Sequence, residues 1–353
     1  MKENNSLDIL KATFEKILPS KDKREKIGSV EFIINLIFCY FPDSKTSSLE
    51  SIRKAMKSIL KIEIKRNSFW ERLAGNRLKI YLKAIVAELM GKFSSNILEK
   101  KDALNKLGVK SIWIIDSSTI TLKDNAEKRF PGTGSKAGIK WHACFNAFSG
   151  VMEWFQLTPS STNDRKCFPD VALLKNKLIL SDLGYFDYGL LLSIKEVGGF
   201  FLTRLKSNSV VHVTKGVLGF PKKAVGKSLL SFHFKGEKEA IVEALIKKVY
   251  GKKTLECRAI GFWNPLDKKY HWYLTNLVVA ASIIYPLYRV RWQIELIFKA
   301  CKSSLNANQI PSSNENIIES LLLASIASYL STYTLLDNSL PYLDDQQKQA
   351  ISF

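Results

Sequence analysis

The run Ile112-Trp113-Ile114-Ile115, closing on Asp116-Ser117-Ser118, constrains the chain more than any other feature. Four apolar residues in a row leave no polar face. The segment is therefore predicted to be a strand buried on both sides, ending at Asp116. A second such run, Leu178-Ile179-Leu180, ends at Asp182. Between them Lys140 to Phe148 alternates, Ser149-Gly150 signals a turn, and Val151 to Leu157 returns, so a hairpin is expected. Asn163 or Asp164 is placed to cap a helix running through Leu174. Tyr188 to Val197 reads as a helix closed by Gly198-Gly199, and Phe200 to Leu205 as a further strand. The expected order is strand, strand, strand, helix, strand, helix, strand, which is an α/β chain.

The flanks differ in texture. Residues 1–105 carry apolar positions at helical spacing, through Leu7, Leu10, Phe14 and Ile17 and again through Ile52, Met56, Ile59 and Leu60. Ser47 and Ser48 are candidate caps for the second run, with Glu50 in its first turn. Residues 106–206 hold the first part of the α/β unit. Residues 207–276, rich in β-branched and aromatic positions with glycine punctuation, read as a mostly β insertion. From Tyr285 the helical period returns, so residues 277–353 complete the unit with helices.

Charge limits the partner. Lys and Arg number 53 against 33 Asp and Glu, a net +20, which calls for a polyanion: nucleic acid first, an anionic membrane second. The segment Arg53 to Lys92 is dense in Lys and Arg, interleaved with Phe69, Trp70 and Tyr81. It reads either as a DNA-contacting helical domain or as amphipathic helices with a solvated basic face. A membrane fits poorly. The N-terminal MKENNSLDIL lacks a basic region followed by an apolar core, and the longest uncharged stretch, Ser320 to Leu336, is short of a span and contains several Ser and Thr. A buried helix fits it better. Five cysteines without CxxC spacing and four unpaired His point away from zinc and disulfides, and fit a reducing cytoplasm.

Asp116 and Asp182 occupy matched places after apolar strands, and acids at strand ends of one sheet can converge although distant in sequence. Either one alone is an ordinary turn or cap residue. The segment Tyr288-Arg289-Val290-Arg291-Trp292-Gln293-Ile294-Glu295, continuing to Lys302, adds a third acid. On one helix Tyr288, Arg291, Glu295 and Lys302 lie within about 60° of a line, opposite Val290, Ile294, Ile297 and Cys301. That face offers a carboxylate for a metal and cations for phosphates, Arg by a two-pronged contact. Read in isolation, it is an amphipathic helix with a routine Arg291–Glu295 pair.

Taken together, Tyr288-x2-Arg291-x3-Glu295-x6-Lys302 resembles the YREK signature of the IS4-family insertion-sequence transposases, enzymes of the DDE type. Asp116-Ser117-Ser118-Thr119 resembles that family's first-Asp motif, and Asp182-Leu183-Gly184-Tyr185 its second. His271-Trp272-Tyr273-Leu274-Thr275-Asn276 resembles the strand leading back to the last helix. The likeness covers roughly residues 110 to 305.

The resemblance implies an RNase H-like mixed sheet flanked by helices, with the β insertion between Asp182 and Glu295 and a helical domain before it. It implies Mg²⁺, or Mn²⁺ in its place, as two ions, with Asp116 bridging and Asp182 and Glu295 as one ligand each. Three carboxylates without His or Cys suit such hard ions. It implies cleavage at the transposon ends and transfer of the freed 3′-OH into target DNA. The partners would be double-stranded DNA, as terminal inverted repeats and target, and a second protomer on paired ends, in a prokaryotic cytoplasm at the nucleoid. Tyr288, Arg291 and Lys302 would hold phosphates, with Arg289 and Lys299 nearby, and Trp263 is a candidate for base stacking. Asp124, Asp164, Asp170 and Asp187 compete for the metal role, Asp187 reading as a helix cap. A DNA-binding regulator, or an inactive remnant of such an element, is the alternative.

Overall fold

The computed structural model describes the chain except residues 1–5, 20–26, 40–47, 62, 94–103, 123–125, 135–136, 149–150, 221, 232–239, 293, 296–297, 300–309, 311 and 340–353. Among the described residues five helices come first: α1 (Ser6–Ile17), α2 (Ser29–Cys39), α3 (Leu49–Leu60), α4 (Arg66–Ala74) and α5 (Asn76–Phe93). Ser48 starts α3 as expected. Its hydroxyl accepts from Ser51 N at 3.0 Å, and Ser51 Oγ accepts from Ser48 N at 3.2 Å, a capping box that satisfies two otherwise orphaned donors. Ser47, the other candidate cap, lies outside the described residues.

Among the described residues nine strands then form one sheet in the order β3-β2-β1-β4-β5-β9-β8-β7-β6. They are β1 (Ser111–Thr121), β2 (Gly138–Asn146), β3 (Val151–Pro159), β4 (Lys177–Ser181), β5 (Phe200–Arg204), β6 (His212–Leu218), β7 (Ile241–Tyr250), β8 (Lys253–Asn264) and β9 (Lys269–Thr275). In the first half β2 is antiparallel to β1 and β3, and β1, β4 and β5 run parallel. This is the RNase H-like mixed sheet. The second half pairs throughout in antiparallel fashion and joins the first through β5 and β9, where Leu202 faces Thr275 and Arg204 faces Tyr273.

Two local expectations need correcting. Residues 164–174 are not one helix but two 3-10 turns, Asp164–Cys167 capped by Asn163 and Val171–Leu174 capped by Asp170. Pro169 explains the break: its ring holds the preceding Phe168 extended, at φ −72° and ψ 139°. Nor does β1 end at Asp116. It continues to Thr121, because β2 pairs along its whole length, from Trp113↔Asn146 to Thr121↔Gly138.

The sheet is covered on both faces, which is why Ile112 to Ile115 and Leu178 to Leu180 are apolar without a break. On one face Ile112, Ile114, Trp141, Leu178 and Leu180 share a single core with the five N-terminal helices and with α8 (Glu315–Ser339). On the other, Trp113, Ile115, Ile179 and Phe201 pack with Leu191 and Ile194 of α6 (Tyr188–Glu196) and with Ile246, Leu255 and Ala259 of β7 and β8. Helix α8 is buried along most of its described length, from Ile317 through Leu330. Its hydroxyls are accommodated by backbone carbonyls: Ser320 Oγ donates to Leu73 O at 2.8 Å and Ser325 Oγ to Leu321 O at 2.9 Å. Among the described residues no helix is long and apolar enough to cross a membrane.

One buried ion pair ties β7 and β8 to the segment that follows β9. Arg258 Nε on β8 donates to Glu243 Oε1 on β7 at 2.7 Å, and Arg258 Nη1 donates to Leu277 O at 2.6 Å. Leu277 lies just before α7 (Ala281–Arg289).

Candidate active site

Register brings the first two acids together. The parallel ladder between β1 and β4 ends at Ile115↔Ser181, so Asp116, still on β1, and Asp182, just past β4, are the next residues along the two segments. Strand alternation puts Asp116 on the face of Ile112 and Ile114, and Asp182 follows Leu178 and Leu180 in the same phase. Asp116 is buried, at 8% exposure, and its Oδ1 accepts from Ser117 N at 2.7 Å. Asp182 caps the short turn Leu183–Tyr185 by accepting from Leu183 N. Burial pushes the Asp116 carboxyl up to about 6, with Asp182 and Glu295 adding to the rise and the Ser117 N–H and Arg291 opposing it.

The third acid arrives by a different backbone path from the one the 3.6 period suggests. Tyr288 stands on α7, which is capped at Val290. Val290 N and Arg291 N bond three residues back, to Leu287 O and Tyr288 O, and helix resumes at Trp292. Tyr288 and Glu295 are thus not on one uninterrupted helix. They still converge, because Arg291 spans the junction. Its Nη1 donates to Asp116 Oδ2 at 3.0 Å and its Nη2 donates to Glu295 Oε1. Its guanidinium lies 5.5 Å from the Tyr288 ring, and Tyr288 packs edge-on against Tyr273 of β9 at 4.9 Å. Burial pulls the Arg291 pKa down, but Tyr288, Asp116 and Glu295 outweigh it and raise the group overall, so it stays charged. Burial also raises the Tyr288 phenol, which keeps its proton. Two buried polar atoms here, Tyr288 Oη and Arg291 Nε, have no hydrogen-bond partner among the described residues.

Among the described residues no three acidic, His or Cys side chains are grouped closely enough to hold a metal ion. The Arg291 fork lies between Asp116 and Glu295 instead, donating to both. Acids that already share a buried cation form a donor set of the right chemistry for a hard divalent ion, provided the guanidinium withdraws.

The remaining expected residues are scattered. Arg289 and Lys299 are exposed, and Lys302 lies outside the described residues. Trp263 is half-buried on β8, its ring 5.2 Å from Tyr270. Of the competing acids, Asp187 caps α6 through Leu190 N at 3.0 Å and pairs with Arg165 at 3.1 Å. Asp170 caps a 3-10 turn, and Asp124 lies outside the described residues.

Sequence reasoning missed a polar cluster on the opposite face of β1, where Ser117 points. Ser117 Oγ donates to Asp164 Oδ1 at 2.8 Å, and Lys140 Nζ pairs with the same oxygen at 3.2 Å. His142, directly opposite Ser117 on β2, is fully buried between Thr158 Oγ1 at 2.9 Å and Tyr185 Oη at 3.3 Å. Burial lowers the His142 pKa from 6.5 to about 4, so the ring is neutral near pH 7. The folded value lies below the unfolded one, so the contribution is fully present above pH 6.5 and is lost as pH falls through about 4. Urea unfolding across that window should show the wild type losing roughly 3 kcal/mol more than His142→Gln. Parallel pH profiles for the two proteins would refute it.

A family model described as Transposase DDE domain matches residues 107–331. The chain is similar, at 23% identity over 339 residues, to a transposase for insertion sequence element IS1151 from Clostridium perfringens, covering 82% of this chain and 69% of that one. It is similar at 25% identity over 272 residues to a transposase for insertion sequence element IS231F from Bacillus thuringiensis subsp. israelensis, covering 64% and 57%. With a putative transposase, y4zB, from Sinorhizobium fredii, 26% identical over 202 residues, the chain spans between 53% and 69% of these relatives' lengths. A solved piggyBac transposase synaptic complex with hairpin DNA aligns at a TM-score of 0.40 and 9% identity, over 97% of this chain and 80% of that one.

Proposed function

Because the chain belongs to the transposase DDE-domain family, we propose that it cuts DNA at the ends of an insertion sequence and joins the freed 3′-OH ends to target DNA. Asp116, Asp182 and Glu295 would hold the divalent ions, Mg²⁺ or Mn²⁺ in its place. The observation that carries this reading is the Arg291 bridge between Asp116 and Glu295, beside Asp182 in register. When bound, two such ions supply an activated water and positive charge for the leaving oxygen.

The protein's own groups do the rest. A guanidinium that leaves Asp116 and Glu295 is freed within reach of the same site, and its fork matches a phosphate as well as it matches two carboxylates. Tyr288 keeps its proton and has a hydroxyl without a partner among the described residues, so it is a donor to a phosphate oxygen. Lys302, Lys299 and Arg289 would extend this basic strip along the DNA, and the helices of residues 1–105 would bind the terminal repeats. Transfer of two ends into one target calls for two protomers on paired ends, acting at the nucleoid.

The test uses the full chain, labelled DNA carrying the inverted repeats that flank its gene, and Mg²⁺. Cleavage leaving a 3′-OH, abolished by a chelator, is expected. Tight binding without any cutting in Mg²⁺ or Mn²⁺ would leave only a DNA-binding protein and defeat the proposal.

A further inference from the structure

We infer that Asp164 is a positioning residue for the pair Asp116 and Asp182, acting from the opposite face of the sheet; this rests on the function proposed above. The acids stand one residue beyond the last rung of the β1–β4 ladder, Ile115↔Ser181. No rung pairs Asp116 with Asp182 directly. Asp164 supplies a cross-brace at that point. Its Oδ1 accepts from Ser117 Oγ, the residue after Asp116, at 2.8 Å. Its Oδ2 lies 3.3 Å from where a Cβ on Gly184 would stand, so the same carboxylate abuts the turn that follows Asp182. One side chain thus touches both acid-bearing segments.

The brace is itself held. Lys140 Nζ pairs with Asp164 Oδ1 at 3.2 Å and donates to Thr162 O at 2.8 Å, which fixes the loop bearing Asp164 to β2. Tyr185, from the Asp182 turn, is 2% exposed and reaches His142 on β2. Asp164 is no rival ligand for the ions, since its Oδ1 is shared by Ser117 and Lys140 and it lies on the face away from Asp116. Metal-binding carboxylates need their geometry held to a fraction of an ångström, and a displacement of about 1 Å costs roughly a hundredfold in rate.

The experiment compares Asp164→Ala and Asp164→Asn in the full chain, reading single-turnover end cleavage, end-DNA affinity and Mn²⁺ affinity by paramagnetic resonance. The alanine variant should cut about a hundredfold more slowly, bind end DNA within about twofold of wild type, and bind Mn²⁺ about tenfold more weakly. The asparagine variant, whose Oδ1 still accepts from Ser117, should recover cleavage to within about tenfold of wild type. Wild-type cleavage and Mn²⁺ affinity in Asp164→Ala, or an asparagine variant as impaired as the alanine one, would overturn the inference. Should Asp164→Ala fail to fold, Ser117→Ala removes only the connecting hydroxyl and must weaken Mn²⁺ binding in the same direction. A wild type that binds Mn²⁺ but never cuts defeats the transposase reading alone, and the Mn²⁺ ratio then decides the brace. A wild type that does neither defeats both.

Discussion

Glu295→Ala should leave end-DNA binding intact and lower end cleavage by roughly a thousandfold. The magnitude follows from losing one ligand of a centre that contributes several kcal/mol of transition-state stabilisation, at 1.36 kcal/mol per tenfold. Folding should hardly change. The Glu295 side chain is 38% exposed, and its pair with Arg291 is worth at most about 1 kcal/mol there. Arg291 keeps Asp116 as a partner at 3.0 Å, so no buried cation is stranded. A gel-shift assay with the same labelled DNA separates the two effects. Cleavage by Glu295→Ala at the wild-type rate would remove Glu295 from the centre, and loss of binding would assign it to DNA recognition instead.

Arg258→Ala should lower the free energy of unfolding by about 3–5 kcal/mol, the usual cost of leaving a buried charge without its counter-ion. Glu243 would remain at 7% exposure with its carboxylate unpaired, and Leu277 O would lose its donor. The control is a joint change, Arg258→Met with Glu243→Leu, which removes both charges and should restore most of the loss. Chemical denaturation measures both. Equal stability of Arg258→Ala and wild type would show that the pair is hydrated in solution. Because Leu277 leads into α7, the single variant should also slow cleavage more than it weakens DNA binding.

The buried strands were legible in the sequence because both faces of the sheet are covered, which removes every polar residue from Ile112 to Ile115 and from Leu178 to Leu180. Asp116 and Asp182 stood out for the same reason. What the sequence could not carry was the pairing Ile115↔Ser181, a tertiary register that makes the two acids neighbours. The continuation of β1 past Asp116 was hidden because residues 117–121 are mostly polar, although β2 pairs with all of them. The junction between Tyr288 and Trp292 was invisible because the apolar period runs through it in phase. The break at Pro169 is legible in the sequence, since a proline holds the residue before it out of the helical region. Ser117, Lys140 and His142 carried no signal, because polar residues on a strand read as a wet face, and Asp164 read as a helix cap or a rival ligand; only the second layer of chain over them makes that face an interior.

The sheet is closed at neither end, and the two ends differ in what depends on them. The acids lie on β1 and just beyond β4, with β5 between them and the insertion, whereas β6 is the outermost strand, four strands out from β5. Hairpins can be added or trimmed at that outer margin without shifting the register at Ile115 and Ser181, since each added strand bonds only to its predecessor. The fold thus separates a part whose length is fixed by chemistry from a part whose length is free to drift. Among homologous chains, size differences should concentrate between residues 207 and 276 rather than between 111 and 204.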